Sequence, residues 1–293
     1  MDDHWAICEC YGLKAAQENA HAVTASALPR LRELFDELGI AATFFVVGRD
    51  LEDPPTASLF QRLKTAGHRF ANHSYSHALN FRALDRQTMQ QEIERAEHLI
   101  TETLERPLGF RAPGYGSSGL LHEVLESRGY AYDSSVMAGP YGFVFRWLDA
   151  RLQRQAGGTS ARSKTQYSYL RDARTPLSMH RIAGGNLWEL PVAASPLLRL
   201  PFQAGVCMRL GLKYFEANLR VWRRRPDVPL LFLIHAADVA DFSHAKEKLF
   251  QTVPYFAQPV ETKVALLRRY VQRIAEERPV MTTEDWLGKA VES

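Results

Sequence analysis

Short apolar runs alternate along this chain with stretches in which apolar residues recur at helical spacing. Residues 41–48, AATFFVVG, form a β-rich run closed by glycine, a pattern typical of a strand buried on both faces. Directly before it, Leu31, Leu34 and Leu38 recur at helical spacing, and Gly39 provides a stop. The pattern predicts strands over 41–48, 68–72, 108–111, 130–133, 187–192 and 230–235, and helices over 29–38, 56–66, 85–104 and 120–127, with the apolar run 280–282 before a last short helix.

Strands that alternate with helices predict a parallel sheet. About seven such units in 293 residues favour an α/β fold, a distorted (β/α) barrel that forms one domain over 1–293. An open, doubly wound sheet is the structural alternative, but no GxGxxG motif follows any predicted strand. Two insertions interrupt the alternation, at about 138–182 and at about 194–228.

The two insertions differ in composition. The first contains Gly157–Ser160 and scattered basic residues, which predicts a mobile excursion. The second contains an apolar helical stretch that ends in Arg223–Arg225. Such a stretch could make a peripheral membrane contact or line a groove for a lipid-linked substrate. The simpler interpretation is a helix packed on the wall of the barrel.

Composition and charge narrow the classes of function. With 36 basic and 33 acidic residues and no basic stripe interleaved with aromatics, we expect no nucleic-acid partner. The three cysteines are an odd number, and Cys8 and Cys10 lack the spacing of a zinc ribbon or a redox pair. Together with the lack of a signal-peptide pattern or a run of 18 apolar residues, this predicts reduced thiols and a cytoplasmic location.

Polar residues that can carry chemistry follow the predicted strands at their C-terminal ends. His73 and His77 follow the strand 68–72, and Arg111, Asp133 and His235 end three later apolar runs. The C-terminal ends of the strands of a (β/α) barrel converge on one face, where the active site forms. We therefore expect these side chains to lie near one another.

The spacing His73-x3-His77 has two interpretations. It can be a polar surface turn, or it can supply two imidazoles to a metal ion. Asp2 or Asp3 could add a carboxylate, which would leave coordination positions open for water or substrate. The same ligand types also suit non-haem iron, so they do not decide the metal.

The other three residues also have ordinary alternatives. His235 could be a half-buried histidine or a general acid. Arg111, before a Pro-Gly turn, could form a surface ion pair or orient a carboxylate. Asp133 could cap a helix, or it could hold a catalytic histidine in one tautomer.

Taken together, the motifs resemble those of the polysaccharide deacetylase superfamily, also called NodB-homology or carbohydrate esterase family 4, in the branch near allantoinase-like and peptidoglycan deacetylases. The resemblance runs from residue 2 to at least residue 235. It rests on Asp2-Asp3, His73-Ser74-Tyr75-Ser76-His77, Arg111-Ala112-Pro113-Gly114-Tyr115, Asp133-Ser134-Ser135 and Leu233-Ile234-His235. It implies a single NodB-like domain, and the alternating strands and helices argue against an iron oxygenase.

The resemblance also implies the roles of these residues. His73, His77 and an N-terminal Asp would hold a divalent metal, Zn²⁺ first, with Co²⁺, Ni²⁺ or Mn²⁺ as alternatives. A second acidic group would be the base, held by Arg111. His235, oriented by Asp133, would be the general acid, and the backbone near Tyr115 would stabilise the oxyanion.

The first motif departs from the pattern of that branch, which is Asp-x-Asp. Aligned in that way, Asp2 is the metal ligand and the base would fall before Met1. An adjacent pair would instead make Asp2 the base and Asp3 the ligand. No apolar strand precedes the motif, so we expect the first strand of the barrel to be missing or truncated.

The implied activity is removal of an N-acyl group, N-acetyl first, from an amino sugar or polysaccharide. One alternative is a cyclic-amide or N-formyl hydrolase acting on a small or lipid-linked substrate. Others are a non-catalytic carbohydrate-binding module and a chain of this fold that acts as an interaction partner. The oligomeric state is left open.

Overall fold

A six-stranded sheet, parallel in all but one pairing, organises the computed structural model, which describes residues 1–155, 157, 174–182, 184–196, 198–243 and 245–292. The strands lie in the order β1-β2-β3-β4-β6-β5, and only β5 runs antiparallel to its neighbour. Their bounds are β1 Thr43–Val46, β2 Arg69–Asn72, β3 Gly109–Phe110, β4 Tyr132–Asp133, β5 His180–Arg181 and β6 Trp188–Glu189.

Helices cover the sheet and join its strands. They are α1 His4–Cys10, α2 Ala22–Leu38, α3 Pro54–Thr65, α4 Arg86–Thr103, α5 Gly119–Ser127, α6 Gly142–Gln155, α7 Ala204–Leu210, α8 Leu212–Trp222, α9 Lys248–Thr252, α10 Pro254–Ala257, α11 Val260–Glu277 and α12 Thr283–Glu292. Short 3-10 turns lie at Gln17–Asn19, Gly48–Glu52, Phe81–Ala83, Pro113–Tyr115 and Ala236–Asp238. None of the described helices combines the length and the apolar composition that crossing a bilayer requires.

The predicted α/β class and the parallel sheet are confirmed, and the predicted helices lie within a few residues of their observed bounds. The largest shift is in α2, which begins at Ala22 rather than at Pro29. The N–H of Thr24 in its first turn donates to the Asp3 carboxylate at 3.0 Å, and this contact supports the earlier start. The helix ends where expected, because Gly39 adopts φ +62, the left-handed conformation that favours glycine.

The apolar run 230–235 differs from its prediction, because it forms no strand and joins no ladder of the sheet. Its contacts with neighbouring chain include Leu231 O accepting from Ala193 N–H at 3.1 Å and Leu233 O accepting from Ala204 N–H at 2.9 Å. Within the described ranges, no ladder closes the sheet into a barrel. β1 therefore pairs with β2 alone, and its other edge faces a cavity.

That cavity, of about 660 Å³, lies between β1 and the 230–235 segment. Residues 41–45 form one wall and residues 228–235 another, and the chain before α12, 279–283, also contributes. Most of the lining is apolar, but Asp2, His73, His77, Arg111 and His235 also border it. The cavity thus connects the polar residues at the strand ends with an apolar interior.

The second insertion, about 194–228, forms α7 and α8. Phe215, Leu219 and Trp222 of α8 are fully or almost fully buried, and the Phe215 ring stacks on Tyr270 of α11 with centroids 4.4 Å apart. This geometry favours a helix packed on the fold over a membrane-facing one. In the first insertion, the predicted excursion around 157–160 lies outside the described residues apart from Gly157.

Candidate metal centre

Asp2, His73 and His77 converge at the border of the cavity. Asp2 Oδ1 lies 3.5 Å from His73 Nε2 and 3.4 Å from His77 Nε2. Both histidines are 7% exposed, so the three groups meet where little water can screen them. The sequence prediction that the two histidines and an N-terminal Asp lie together therefore agrees with the structure.

A tight loop after β2 brings the two imidazoles together. Asn72, the last residue of β2, accepts the Ser74 N–H on its Oδ1 at 2.8 Å. Ser74 Oγ in turn accepts the His77 N–H at 3.2 Å. Ser74 and His77 both adopt positive φ, 64 and 54, which non-glycine residues rarely do. Such backbone conformations often occur at functional sites, where surrounding contacts hold them.

A hydrogen bond to a backbone carbonyl fixes the tautomer of His73. Its Nδ1 lies 2.6 Å from the carbonyl oxygen of Arg111, and because a carbonyl can only accept, Nδ1 carries the proton. The Nε2 lone pair of the neutral ring therefore faces the Asp2 carboxylate. A backbone carbonyl behind a histidine is the usual way in which proteins orient an imidazole that binds a metal.

The charge of the Asp2 carboxylate is balanced by a proton on His77, whose place a cation could take. Burial lowers the pKa of His73 to about 4, so this ring stays neutral. Burial opposes protonation of His77 as well, but the Asp2 charge raises its pKa to about 10. For Asp2, burial alone would raise the pKa, but the charge of His77 and hydrogen bonds from both rings hold it well below its usual range. The cluster therefore holds one negative carboxylate with one positive charge, and a divalent cation fits the same three donor atoms.

Asp3 does not join this cluster. Its Oδ1 accepts the N–H groups of His4 at 2.8 Å and Thr24 at 3.0 Å, and its Oδ2 lies 3.0 Å from His21 Nδ1. Asp3 therefore caps α1 and supports the first turn of α2. The predicted role of Asp3 as metal ligand is corrected, and Asp2 is the N-terminal carboxylate beside the histidines.

Arg111 is buried under the centre but holds no carboxylate there. Its Nε donates to Ser134 O at 3.0 Å and its Nη2 donates to Ser134 Oγ at 2.7 Å, while the guanidinium lies 3.8 Å from the centroid of the Phe45 ring. In the described part of the chain, no acidic side chain forms an ion pair with Arg111. Arg111 therefore lies near the centre as predicted, but no carboxylate of the described chain is paired with it as the predicted base.

Asp133 is fully buried and has partners other than the predicted one. Its Oδ1 accepts from Ser135 Oγ, and its Oδ2 lies 3.5 Å from His122 Nε2. It also shares a hydrogen bond with Glu189 of the neighbouring strand β6. No contact among the described residues joins Asp133 to His235. The predicted orientation of His235 by Asp133 is therefore wrong, because Asp133 is turned between β4 and β6.

His235 is instead held by Asp238. The His235 N–H donates to Asp238 Oδ2 at 2.7 Å, and the His235 side chain accepts from the backbone of Asp238, a reciprocal capping box around the turn 236–238. Tyr255 OH donates to Asp238 Oδ1 and fixes the carboxylate further. Sequence reasoning missed Asp238, although the spacing His-x-x-Asp is the signal of such a box.

Tyr115 borders the same cavity. Its backbone N–H donates to Ala112 O at 3.2 Å, so this predicted oxyanion donor is already engaged. Its hydroxyl lies 3.3 Å from Gln203 Oε1. Burial raises the pKa of Tyr115 to about 12, so the phenol is neutral; its proton is donated to Gln203, and its oxygen can accept a hydrogen bond from a substrate.

A second carboxylate, Glu189, accompanies Asp133 in the sheet. Burial raises its pKa well above the usual range, and the charge of Asp133 raises it further. Glu189 Oε1 accepts the Val136 N–H at 3.1 Å. Burial and the neighbouring Asp133 therefore favour the protonated form of Glu189.

Part of the chain matches a known protein family. Residues 20–132 match the model described as polysaccharide deacetylase. A peptidoglycan deacetylase of Helicobacter pylori is 29% identical over 110 residues, which cover 38% of this chain and 37% of that protein. The peptidoglycan deacetylase-like protein FGM2 of Gibberella zeae is 33% identical over 110 residues, which cover 36% and 32%. The matched segment thus spans about a third of the length of these two relatives.

Two solved structures share the fold over most of the chain. A polysaccharide deacetylase candidate from Mycobacterium smegmatis aligns with a TM-score of 0.57 at 18% identity and covers 92% of this chain and 78% of that one. Puue allantoinase aligns with a TM-score of 0.56 at 14% identity and covers 94% and 77%. Residues 20–132 of this chain thus match the polysaccharide deacetylase family, and the fold as a whole is similar to those of these two proteins.

Proposed function

We propose that this protein is a metal-dependent amide hydrolase that removes an N-acyl group, N-acetyl first, from an amino sugar of a polysaccharide such as peptidoglycan. One observation carries the proposal: Asp2, His73 and His77 converge beside a cavity that His235 also borders. The similarity of residues 20–132 to a peptidoglycan deacetylase and to a peptidoglycan deacetylase-like protein supports the substrate class. In this arrangement the scissile amide of the substrate would lie between the cluster of Asp2, His73 and His77 on one side and His235 on the other.

The three residues fit a divalent metal. Two neutral imidazoles and a carboxylate are the donor set of many catalytic zinc sites, and three protein ligands leave a position for water. Zn²⁺ is the first candidate, with Co²⁺, Ni²⁺ and Mn²⁺ as alternatives. When bound there, such a cation polarises the amide carbonyl and lowers the pKa of water.

The protein's own groups then have separate tasks. His73 keeps Nε2 available because Nδ1 donates to Arg111 O. His235, held by Asp238, delivers a proton to the leaving amine. The neutral hydroxyl of Tyr115 orients the substrate by a hydrogen bond. The buried Arg111 places a fixed positive charge near the strand ends, where negative charge develops during attack.

A second candidate function, a non-catalytic carbohydrate-binding module, is favoured by a specific observation. Of the acidic residues that line the cavity, Asp2 and Asp227, only Asp2 belongs to the cluster. If Asp2 serves the cation, no second carboxylate of the described chain stands beside it to accept a proton from water. A module of this kind would bind metal and sugar without turnover.

Amine release from a panel of substrates distinguishes the two functions. The panel contains N-acetylated sugar oligomers, peptidoglycan fragments, an N-formyl compound and a cyclic amide, and it is tested with and without a chelator. The hydrolase predicts release that chelation and His73→Ala both abolish, while His98→Ala, an exposed histidine on α4, retains activity. Release that survives both changes would refute the hydrolase proposal.

The same assay is run on a version of the chain extended at its N-terminus. Turnover in both versions supports the hydrolase as described. Turnover in the extended version alone would show that an upstream group completes the site. Metal and sugar binding without turnover in both versions would identify the binding module.

A further inference from the structure

A second group of metal-ligating side chains lies on α1, outside the cavity centre. His4 and Cys8 are one helical turn apart, so both side chains lie on the same face of α1. Glu247, the residue before α9, lies opposite this face. Its Oε1 is 3.1 Å from His4 Nε2 and 3.8 Å from Cys8 Sγ. One donor atom from each residue falls within 4.8 Å of the other two.

These distances match those expected around a small cation. Zinc binds nitrogen and oxygen at about 2.0–2.2 Å and sulfur at about 2.3 Å, so ligand atoms on a tetrahedral ion are about 3.3–3.6 Å apart. The two measured separations fall on either side of that range. Small movements of the Glu247 side chain would therefore bring all three donors onto one ion.

The surroundings indicate a closed site. His4 and Cys8 are 0% exposed, and the Glu247 side chain is 14% exposed. The ring of Phe250 lies 4.8 Å from the His4 ring and stacks on Phe242, with centroids 4.7 Å apart. An apolar shell of this kind keeps bulk water away from the donors. Structural zinc sites have four ligand atoms and no open position, and Glu247 could supply two of the four through its two carboxylate oxygens.

The second oxygen of Glu247 gives an independent indication. Glu247 Oε2 is buried and has no hydrogen-bond partner in the described parts of the chain. Buried carboxylate oxygens are almost always hydrogen-bonded or coordinated, because desolvation without a partner is costly. A cation on this carboxylate would satisfy the oxygen.

We propose that His4, Cys8 and Glu247 form a second metal site, which binds Zn²⁺ or a similar borderline divalent cation and fastens α1 to the chain before α9. A thiolate, an imidazole and a carboxylate favour zinc over magnesium or calcium, which prefer oxygen ligands alone. The site lies two residues after Asp2 in sequence. A metal there holds the start of α1, and with it Asp2, against Glu247.

The test counts metal ions in the full chain. The protein is reduced, loaded with excess Zn²⁺, freed of unbound metal and analysed for bound metal per chain. We expect two equivalents in the native sequence and about one in each of Asp2→Asn, Cys8→Ser and Glu247→Gln. The Asp2→Asn, Cys8→Ser double variant should bind none. Cys207→Ala, which removes a buried cysteine outside both sites, should retain two.

A spectroscopic measurement separates binding from any loss of folding. In the Asp2→Asn variant loaded with Co²⁺, a thiolate-to-cobalt charge-transfer band should persist. Cys10→Ser should leave this band in place, although Cys10 borders the cavity, and Cys8→Ser should abolish it.

A zinc content that Cys8→Ser and Glu247→Gln leave unchanged would overturn the proposal, as would a band that survives Cys8→Ser. Either result would leave His4, Cys8 and Glu247 as a hydrogen-bonded trio only. Neither result depends on catalytic activity, so the outcome is independent of the hydrolase proposal.

Discussion

Asp2 and Asp3 are adjacent, yet their carboxylates belong to different parts of the molecule. Asp2 Oδ1 lies 3.4 Å from His77 Nε2 at the cavity, whereas Asp3 Oδ1 accepts two backbone N–H groups at the starts of α1 and α2. One residue therefore faces the candidate metal centre while the next organises two helices. Substitutions of Asp2 and Asp3 should therefore separate effects on metal binding from effects on stability.

Substitution of the two residues should have opposite consequences. Asp2→Asn should lower metal content at the cavity centre but leave the backbone contacts at the starts of α1 and α2 in place. Asp3→Asn should retain this metal but lower the free energy of unfolding by about 1–2 kcal/mol, because a capping carboxylate is lost. Metal analysis and urea denaturation of both variants test this. Equal loss of metal in both would contradict the assignment.

His235 should govern departure of the amine. His235→Ala should lower kcat by about 10²–10⁴-fold, the usual contribution of a general acid, without changing the metal content. The decrease in kcat should be smaller for substrates whose amine is a better leaving group and needs less protonation. If the loss were the same for every leaving group, His235 would not be the acid.

Asp238 rather than Asp133 should act through His235. Asp238→Asn removes the charge that faces the His235 N–H and should lower kcat more than KM, with the same leaving-group dependence. Asp133→Asn is the matched control, because it changes a buried Asp that has no contact with His235. A leaving-group dependence in Asp133→Asn alone would reverse this interpretation.

Glu189 should make stability fall as the pH rises. Its pKa in the folded protein is raised above the unfolded value, so the folded state binds an extra proton above about pH 4.5. The stabilisation is complete below the unfolded pKa and is lost as the pH rises toward the folded pKa. Glu189→Gln is neutral at every pH, so its stability relative to the native protein should increase with pH. Denaturation between pH 4.5 and 8 measures the difference.

Lys263 should have the opposite dependence at alkaline pH. Burial lowers the pKa of its amine to about 8, and the amine donates to Ala237 O at 3.3 Å and to Ala240 O. Between pH 8 and its unfolded pKa near 10.5 the unfolded state binds more protons, so stability rises with pH. Lys263→Met should remove this rise, and a native slope equal to that of the variant would contradict it.

Local patterns predict much of the fold and the candidate site. The run 41–48 contains β1, and the spacing of His73 and His77 after β2 is a short-range feature that the sequence displays directly. What could not be predicted depends on distant partners. Whether Asp2 or Asp3 faces the histidines depends on Thr24 and His21, which lie some twenty residues away.

The same reason explains the two incorrect predictions at later strands. The run 230–235 has the apolar composition of a strand, but a strand also needs a paired neighbour, and composition does not supply one. Asp133 follows an apolar run as a catalytic residue would, but its orientation depends on Glu189 and His122. Asp238 was missed because its spacing from His235 is that of a capping residue, and a capping residue does not by itself indicate catalysis.

The edge of β1 that faces the cavity leaves backbone donors and acceptors in the cavity wall. In the described chain, β1 has a backbone partner strand on one side only, and on the other side the amino group of Met1 donates to Phe45 O. A strand edge with unused donors and acceptors is a template for another extended segment. Because residues 228–235 form the opposite wall, the unpaired backbone groups of this edge are available to whatever enters the cavity, and an extended ligand could pair with them.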